Sequence, residues 1–191
     1  MYYLMNIEEK IRIHPSMLTM NITNAAKKVL RDAYERRIYK EIGLILSIDN
    51  IEIVSPGVIV PGDPNIYYNV QFDALVFNTS VNEVFESVVK EIVEFGAFTN
   101  IGPFDALLHL SQISGEKFFY DKKNKSLYSH GKKNIKKDDI LFLKVSTVSI
   151  KSSINDTKIG LTMRAGGLGK TEWFEENMKK AKVEKNEKKK A

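Results

Sequence analysis

The chain has 191 residues, of which 43% are hydrophobic and 28% charged, an ordinary globular composition with room for one large domain or two small ones. It has no cysteine, which excludes disulfides, thiol catalysis and cysteine-held zinc and fits a cytoplasmic protein; no apolar run approaches the ~20 residues that span a bilayer, and the N-terminus does not read as a signal peptide. The net charge of +5 resides in the tail: residues 179–191 hold seven Lys against two Glu, leaving 22 basic and 22 acidic side chains in residues 1–178.

Ile7 to Ile13 alternates as a strand, and His14-Pro15 ends it because proline cannot donate to a ladder. A helix is predicted next, capped by Thr23 or Asn24. Ala26, Val29, Leu30, Ala33, Tyr34, Ile38 and Ile42 form its apolar stripe, and Gly43 closes it. Leu44 to Ile48 and Ile51 to Val54 read as strands separated by a turn or bulge at Asp49-Asn50. A loop from Pro56 to Pro64 holds the apolar triplet Val58-Ile59-Val60 between turn residues. Ile66 to Phe77 then alternates, with Tyr68, Val70, Phe72 and Ala74 on one face. Residues 1–80 thus read as a small α+β domain.

Past Ser80, strands follow one another near 81–95, 97–101, 105–110, 139–149 and 158–164. Five short strands with a basic insertion between the third and fourth fit an all-β OB-type barrel over residues 81–178. The insertion, residues 117–137, has eight lysines against Asp121 alone. That makes Lys117, Lys122, Lys123, Lys132 and Lys133 candidates for phosphate contact. Gly166 to Thr171 lacks phosphate-loop spacing and reads as a flexible connector. Lys170 to Lys180 reads as a short closing helix, with Trp173 and Phe174 packed back on the body; residues 179–191 are expected to be disordered.

Catalytic patterns are missing. His14, His109 and His130 stand at no metal-ligand spacing, no nucleophile or nucleotide motif occurs, and Asp138-Asp139 reads as a surface pair. A binding protein without cofactor or metal is expected.

The clearest signal is Ile92 to Phe98 followed by Leu107 to Ile113. Gly96 permits a sharp bend, Phe95 and Phe98 flank it, and His109 lies on the next strand. Rings sharing a barrel face are stacking platforms worth about 1–3 kcal/mol per base. The pattern I-x-x-F-G-A-F with L-x-H-x-S-x-I resembles the S1-type RNA-binding fold, which implies that Phe95, Phe98 and His109 belong to an RNA-contacting surface. The chain departs from that family at Ser87 and Ala106, where glycine is common, and at Ser149, where an acidic residue is frequent.

Further segments extend the resemblance. Tyr34 to Ile38 running into Gly43 to Leu46, the loop Val60 to Asp63, the strand Tyr67 to Phe77, and Lys158 to Arg164 with Gly167 to Lys170 and Trp173 are similar to the larger stalk subunits of archaeal RNA polymerase, a family related to the seventh subunit of eukaryotic polymerase II. The resemblance spans residues 1 to about 178. It implies a truncated ribonucleoprotein-like N-terminal domain. The tip of that domain, Gly57, Val58, Ile59, Val60, Pro61, Gly62 and Asp63, is then expected to dock on the polymerase core. It also implies a smaller stalk subunit as heterodimer partner, nascent single-stranded RNA on the barrel, and a non-catalytic role in initiation and processivity. Pro64 stands where that family continues with glycine, and is expected to stiffen the tip. The alternative is a free-standing S1-type RNA-binding protein of translation or RNA decay, which has no use for the tip.

Overall fold

A computed structural model describes residues 1–131 and 133–173, and the chain divides into two units, Met1–Thr79 and one that begins at Ser80. Lys132, Phe174 and the basic tail lie outside the described residues.

In the first unit, strands β1 (Tyr2–Ile13), β2 (Ile38–Tyr39), β3 (Gly43–Ile53), β4 (Val58–Ile59) and β5 (Ile66–Phe77) form one antiparallel sheet. Its order is β1-β5-β3-β2, with β4 added to β5. β1 and β5 pair over their full length, from Tyr2 opposite Phe77 to Ile13 opposite Ile66. The alternation of β5 buries Val70, Phe72, Ala74 and Val76 on one face. Helix α1 (Ile22–Tyr34) lays Ala25, Ala26 and Leu30 on that face beside Ile11, Ile13, Ile45 and Ile48. Each large side chain so buried contributes about 1.5–3 kcal/mol.

The helix differs from its sequence expectation at both ends. Its cap is Asn21, whose side chain accepts the Thr23 N–H at 3.0 Å. It stops at Tyr34, well before Gly43. The stop is made by tertiary contacts. The Glu35 carboxylate accepts the Ile48 N–H at 3.0 Å, and Arg36 takes φ 62°. Arg36 then donates to the Ile45 carbonyl at 2.8 Å, and the Ile45 N–H donates to Arg37 at 3.1 Å. Ile38 therefore enters β2, and Ile42 sits in the turn before β3, packed against the core. Gly43 opens β3 at φ 102°, where a β-carbon would lie 2.5 Å from the Phe77 carbonyl oxygen. Asp49-Asn50 is a bulge inside a single strand, with Asn50 at φ 51°.

The second unit runs β6 (Val84–Val93), β7 (Gly96–Ile101), β8 (Phe104–His109), β9 (Phe118–Asp121), β10 (Ser126–Ser129), β11 (Asn134–Ile135), β12 (Ile140–Ser149), β13 (Lys158–Thr162) and β14 (Gly169–Lys170). Strands β13-β8-β7-β6-β12 lie side by side, and a further pairing of β12 with β13 closes them into a five-stranded barrel. The β8–β13 pairing is parallel, from Ala106 opposite Ile159 to Leu108 opposite Leu161. This is the OB-type barrel expected from the sequence. Val89, Ala97, Ile101, Leu108, Leu141, Leu143, Val145 and Ile159 fill it.

Two segments differ from expectation. The basic insertion is a folded meander, β9-β10-β11, which buries Phe118, Leu127 and Ile135 beneath its lysines. The glycine-rich connector ends in β14, which pairs with Leu141 and Phe142 of β12. Lys170 there bonds Asp139 at 3.0 Å and Glu172 at 3.1 Å, so Asp139 is a mostly covered structural partner rather than a surface acid. Trp173 packs back as expected, its ring 6.4 Å from Phe118. Among the described residues no helix is long and apolar enough to cross a membrane.

Gly43→Ala is expected to destabilise the protein by about 1–3 kcal/mol, because it combines left-handed strain with a collision against a strand carbonyl. Urea denaturation followed by far-ultraviolet circular dichroism checks this; an unshifted midpoint contradicts the steric account.

Candidate nucleic-acid interface and docking tip

Gly96 sets the geometry of the barrel site. A β-carbon there would lie 2.2 Å from the Leu108 carbonyl oxygen, so only glycine lets β7 bend this close to β8. Gly96 stands opposite His109, and Phe98 stands opposite Leu107. Period-two alternation puts Phe98, Leu107 and His109 on the outer barrel face. Phe95 lies in the β6–β7 turn, 49% exposed, and its ring meets Phe98 edge-on at 6.2 Å and 86°. Its carbonyl accepts the Leu110 N–H at 3.0 Å, which ties the turn to the end of β8. His109 Nδ1 accepts the Ser111 N–H at 3.2 Å and lies 2.8 Å from the Ser111 hydroxyl. The neutral ring therefore carries its proton on Nε2.

Beside these rings runs a groove of about 990 Å³ lined by Phe98, Leu107, Lys90, Asn100, Ser149 and Lys158, among others. Lys90 bridges to Asp105 at 2.7 Å at its rim, both side chains being more than half exposed. The departures from the S1 pattern are accommodated locally. Ser87 is buried and donates its hydroxyl to the Asn100 carbonyl at 2.6 Å, Ala106 is fully buried, and Ser149 lines the groove.

Sequence reading made the lysines of the insertion candidates for phosphate contact, but none of those described lines the groove. Lys117 sits over the Phe119 ring at 5.6 Å, Lys122 and Lys123 are exposed in the β9–β10 turn, and Lys133 bonds Glu116 at 2.9 Å. Sequence reading in turn missed Lys90, Asn100 and Lys158. Outward alternation on β6, β7 and β13 marks these residues as exposed, but only barrel closure assigns them to one groove.

The second candidate surface is the tip of the first unit. Val58 and Ile59 pair with Tyr67 and Ile66 as β4. Val60 to Asp63 is a β-turn closed by the Asp63 N–H on the Val60 carbonyl at 3.0 Å, with Gly62 at φ 89° after Pro61, as a type II turn requires. The Asp63 carboxylate accepts from the Tyr67 hydroxyl at 2.6 Å, the Asn65 N–H at 2.8 Å and the Asn65 side chain at 2.6 Å. Pro64 lies at the centre of this Asx-turn, where its fixed φ favours the turn. The closed turns hold Val58, Ile59 and Val60 out at 51%, 70% and 41% exposure. Gly57 lies under the Tyr68 ring, which would meet a β-carbon at 2.7 Å.

An α+β unit with an apolar tip, followed along the chain by a five-stranded barrel with a ring-bearing groove, defines a two-unit protein with an S1-type barrel. Comparison with known families agrees. Residues 8–64 match the SHS2 domain found in the N terminus of Rpb7p and Rpc25p, and residues 79–154 match the S1 RNA binding domain. The chain is 34% identical to DNA-directed RNA polymerase subunit Rpo7 of Sulfolobus acidocaldarius, over 95% of this chain and 99% of that one. It is also 34% identical to subunit Rpo7 of Saccharolobus solfataricus, over 94% and 100%. The DNA-directed RNA polymerase II subunit rpb7 of Dictyostelium discoideum is 22% identical over 76% of this chain and 86% of its own length. The chain belongs to the Rpo7 family of DNA-directed RNA polymerase subunits.

The Asp63–Tyr67 bond has a titration signature. The hydrogen bond from Tyr67 is the main cause holding the Asp63 carboxyl below its ordinary value, and the same bond raises the Tyr67 phenol above its own. A depressed carboxyl pKa contributes stability above the ordinary carboxylate value and loses it as pH falls through the depressed one. The tip turn is expected to stay closed through the ordinary aspartate range and to loosen only in stronger acid. At the alkaline end, Tyr67 followed by site-resolved NMR should ionise later than a free tyrosine. Asp63→Asn should bring it back toward the ordinary value, and a Tyr67 titration indifferent to that change refutes the bond.

Proposed function

We propose that the chain is the larger, non-catalytic stalk subunit of a cytoplasmic DNA-directed RNA polymerase. In this reading it pairs with a smaller stalk subunit and docks on the polymerase core through Gly57 to Asp63. It also holds emerging single-stranded RNA on the barrel face of Phe95, Phe98 and His109. The observation that carries the reading is the end-to-end match to polymerase subunits, which takes in the N-terminal unit and its tip as well as the barrel. A free-standing S1-type RNA binder leaves the tip without a purpose.

The physical roles follow from the geometry. Three apolar side chains held out by closed turns lose little conformational entropy on entering a partner's pocket, which is what an anchor requires. On the barrel, half-buried Phe98 and exposed Phe95 offer π-faces to bases without hydrogen-bond readout, so binding tolerates sequence. Lys90 and Lys158 attract phosphates along the groove. The Lys90–Asp105 pair is exposed, so it is worth about 0–1 kcal/mol and Lys90 exchanges its partner for a phosphate at small cost. Docking at the tip and RNA on the barrel would together support initiation and processivity.

Two measurements test the two halves separately. A tagged chain with Val58, Ile59 and Val60 replaced by Ser should retrieve the smaller subunit from native lysate but not the polymerase core, which the wild-type chain retrieves with it. Core retention by the variant removes the tip as anchor. Phe98→Ala should weaken binding of single-stranded RNA about 5- to 150-fold at fixed salt, the value of one base stack. Unchanged affinity, with folding intact, removes Phe98 from the RNA site.

A further inference from the structure

The meander β9–β11 has two chemically different faces. Its inner face carries Phe118, Leu127, Ser129 and Ile135, all buried. Its outer face carries Phe119 directly opposite Tyr128, and Tyr128 opposite Asn134. Those rings lie 5.9 Å apart at 33°, and His130 approaches the Phe119 ring at 5.0 Å. Tyr128 is 43% exposed, and Lys117 stands 5.6 Å over Phe119. The folding of the meander uses the inner residues and leaves Tyr128 and His130 exposed, with Phe119 half-buried beside them.

Most lysines of the meander and its turns form no ion pair among the described residues. Asp121, the single acid of residues 117–137, accepts from the Lys123 N–H at 2.9 Å, the Asn124 N–H at 3.2 Å and the Asn124 side chain at 2.7 Å. Those bonds close the β9–β10 turn and hold its carboxyl below the ordinary value. Glu116 is occupied by Lys133 and by the Ser129 hydroxyl. Lys117, Lys122, Lys123, Lys125, Lys136 and Lys137 are exposed and, among the described residues, have no carboxylate partner.

We propose that this outer face is a second contact surface for single-stranded RNA, with Phe119, Tyr128 and His130 stacking on bases and the surrounding lysines holding the phosphates. It shares no residue with the barrel groove and rests on the reading that the chain binds single-stranded RNA. Charge complementarity selects the occupant: the surface combines unpaired cations with exposed π-faces, the pair of features that single strands supply with phosphates and bases. A solvated lysine-rich turn needs no exposed rings.

The test uses the full-length chain in complex with its smaller partner, and a labelled oligouridylate as probe. Tyr128→Ala is expected to weaken binding about 5- to 150-fold, with Tyr128→Trp restoring it. Lys122→Gln with Lys123→Gln should lower the slope of log affinity against log salt by about one per lysine. A photoreactive 5-iodouridine in the probe should crosslink to Phe119 or Tyr128. Loss of binding in Phe98→Ala with none in Tyr128→Ala overturns the second surface and leaves the groove standing; the converse keeps the meander and removes the groove. Unchanged RNA affinity in Tyr128→Ala, with loss of polymerase core in a pull-down, overturns the proposal in favour of a protein-docking face. Because Tyr128 is exposed, an unchanged thermal midpoint confirms that each loss is local.

Discussion

In both units a strand carbonyl occupies the place of a missing β-carbon. The Phe77 carbonyl oxygen lies 2.5 Å from that position at Gly43, and the Leu108 carbonyl oxygen lies 2.2 Å from it at Gly96. Any side chain at either point forces backbone to move, since neither neighbour is a flexible chain end. In the first unit this approach lets β3 start against the last residue of β5, where Leu44 stands opposite Phe77. The register of β3 follows as far as Ile45, which lies under α1; shifts after Ile45 and Asp49 reset it further along. In the second unit the same approach bends β7 over the end of β8. That bend presents Phe95 and Phe98 in a T-shaped pair and sets His109 beside the turn. The candidate interface is thus built on a steric requirement of the barrel.

This constraint explains what was legible in the sequence. The barrel strands could be placed because most of each alternates, despite irregularities in β6 and β12, and the glycine with its flanking rings fixes the separation of β7 and β8. The end of α1 could not be placed. Ile38 and Ile42 continue the helical spacing without a break, and the stop is imposed by Glu35 reaching the Ile48 N–H and by Arg36 bonding Ile45. Those partners lie nine and thirteen residues away and leave no local mark. The meander was hidden for another reason. Its inward residues Phe118, Leu127 and Ile135 alternate correctly, but two turns and a run of lysines interrupt the period before it can be read. The groove was illegible because its polar lining comes from several separate strands.

The acids of the chain show how its charge is apportioned. Asp63, Asp73 and Asp121 are each held below the ordinary carboxyl value by hydrogen bonds from neighbouring residues. Asp63 closes the tip turn and Asp121 the β9–β10 turn. Asp73 gathers the Asn6 and Asn50 side chains, both at 2.9 Å, on the outer face of the first sheet. Hydrogen bonds from neutral donors leave each of these carboxylates charged but hold that charge at a fixed place. A body that is formally neutral therefore still presents clusters of unopposed lysine, above all on the meander. Net charge alone conceals this, because the acids and the free cations occupy different places in the fold.

His109 shows how a structural bond and a proposed binding role can coexist. His14 makes the same cap in the first unit: its Nδ1 accepts the Ser16 N–H at 3.3 Å and lies 2.8 Å from the Ser16 hydroxyl, at the start of a short 3-10 turn. The His-x-Ser cap by itself is therefore a way to end a strand, and it recurs where no ring cluster stands. What distinguishes His109 is its position opposite Gly96, on the face that carries Phe98. There the cap fixes the imidazole in advance, so the proposed stacking on a base would not also meet the entropic cost of ordering that ring. In the proposed RNA-binding reading, the bond that looks like evidence for a purely structural histidine is what preorganises it for contact.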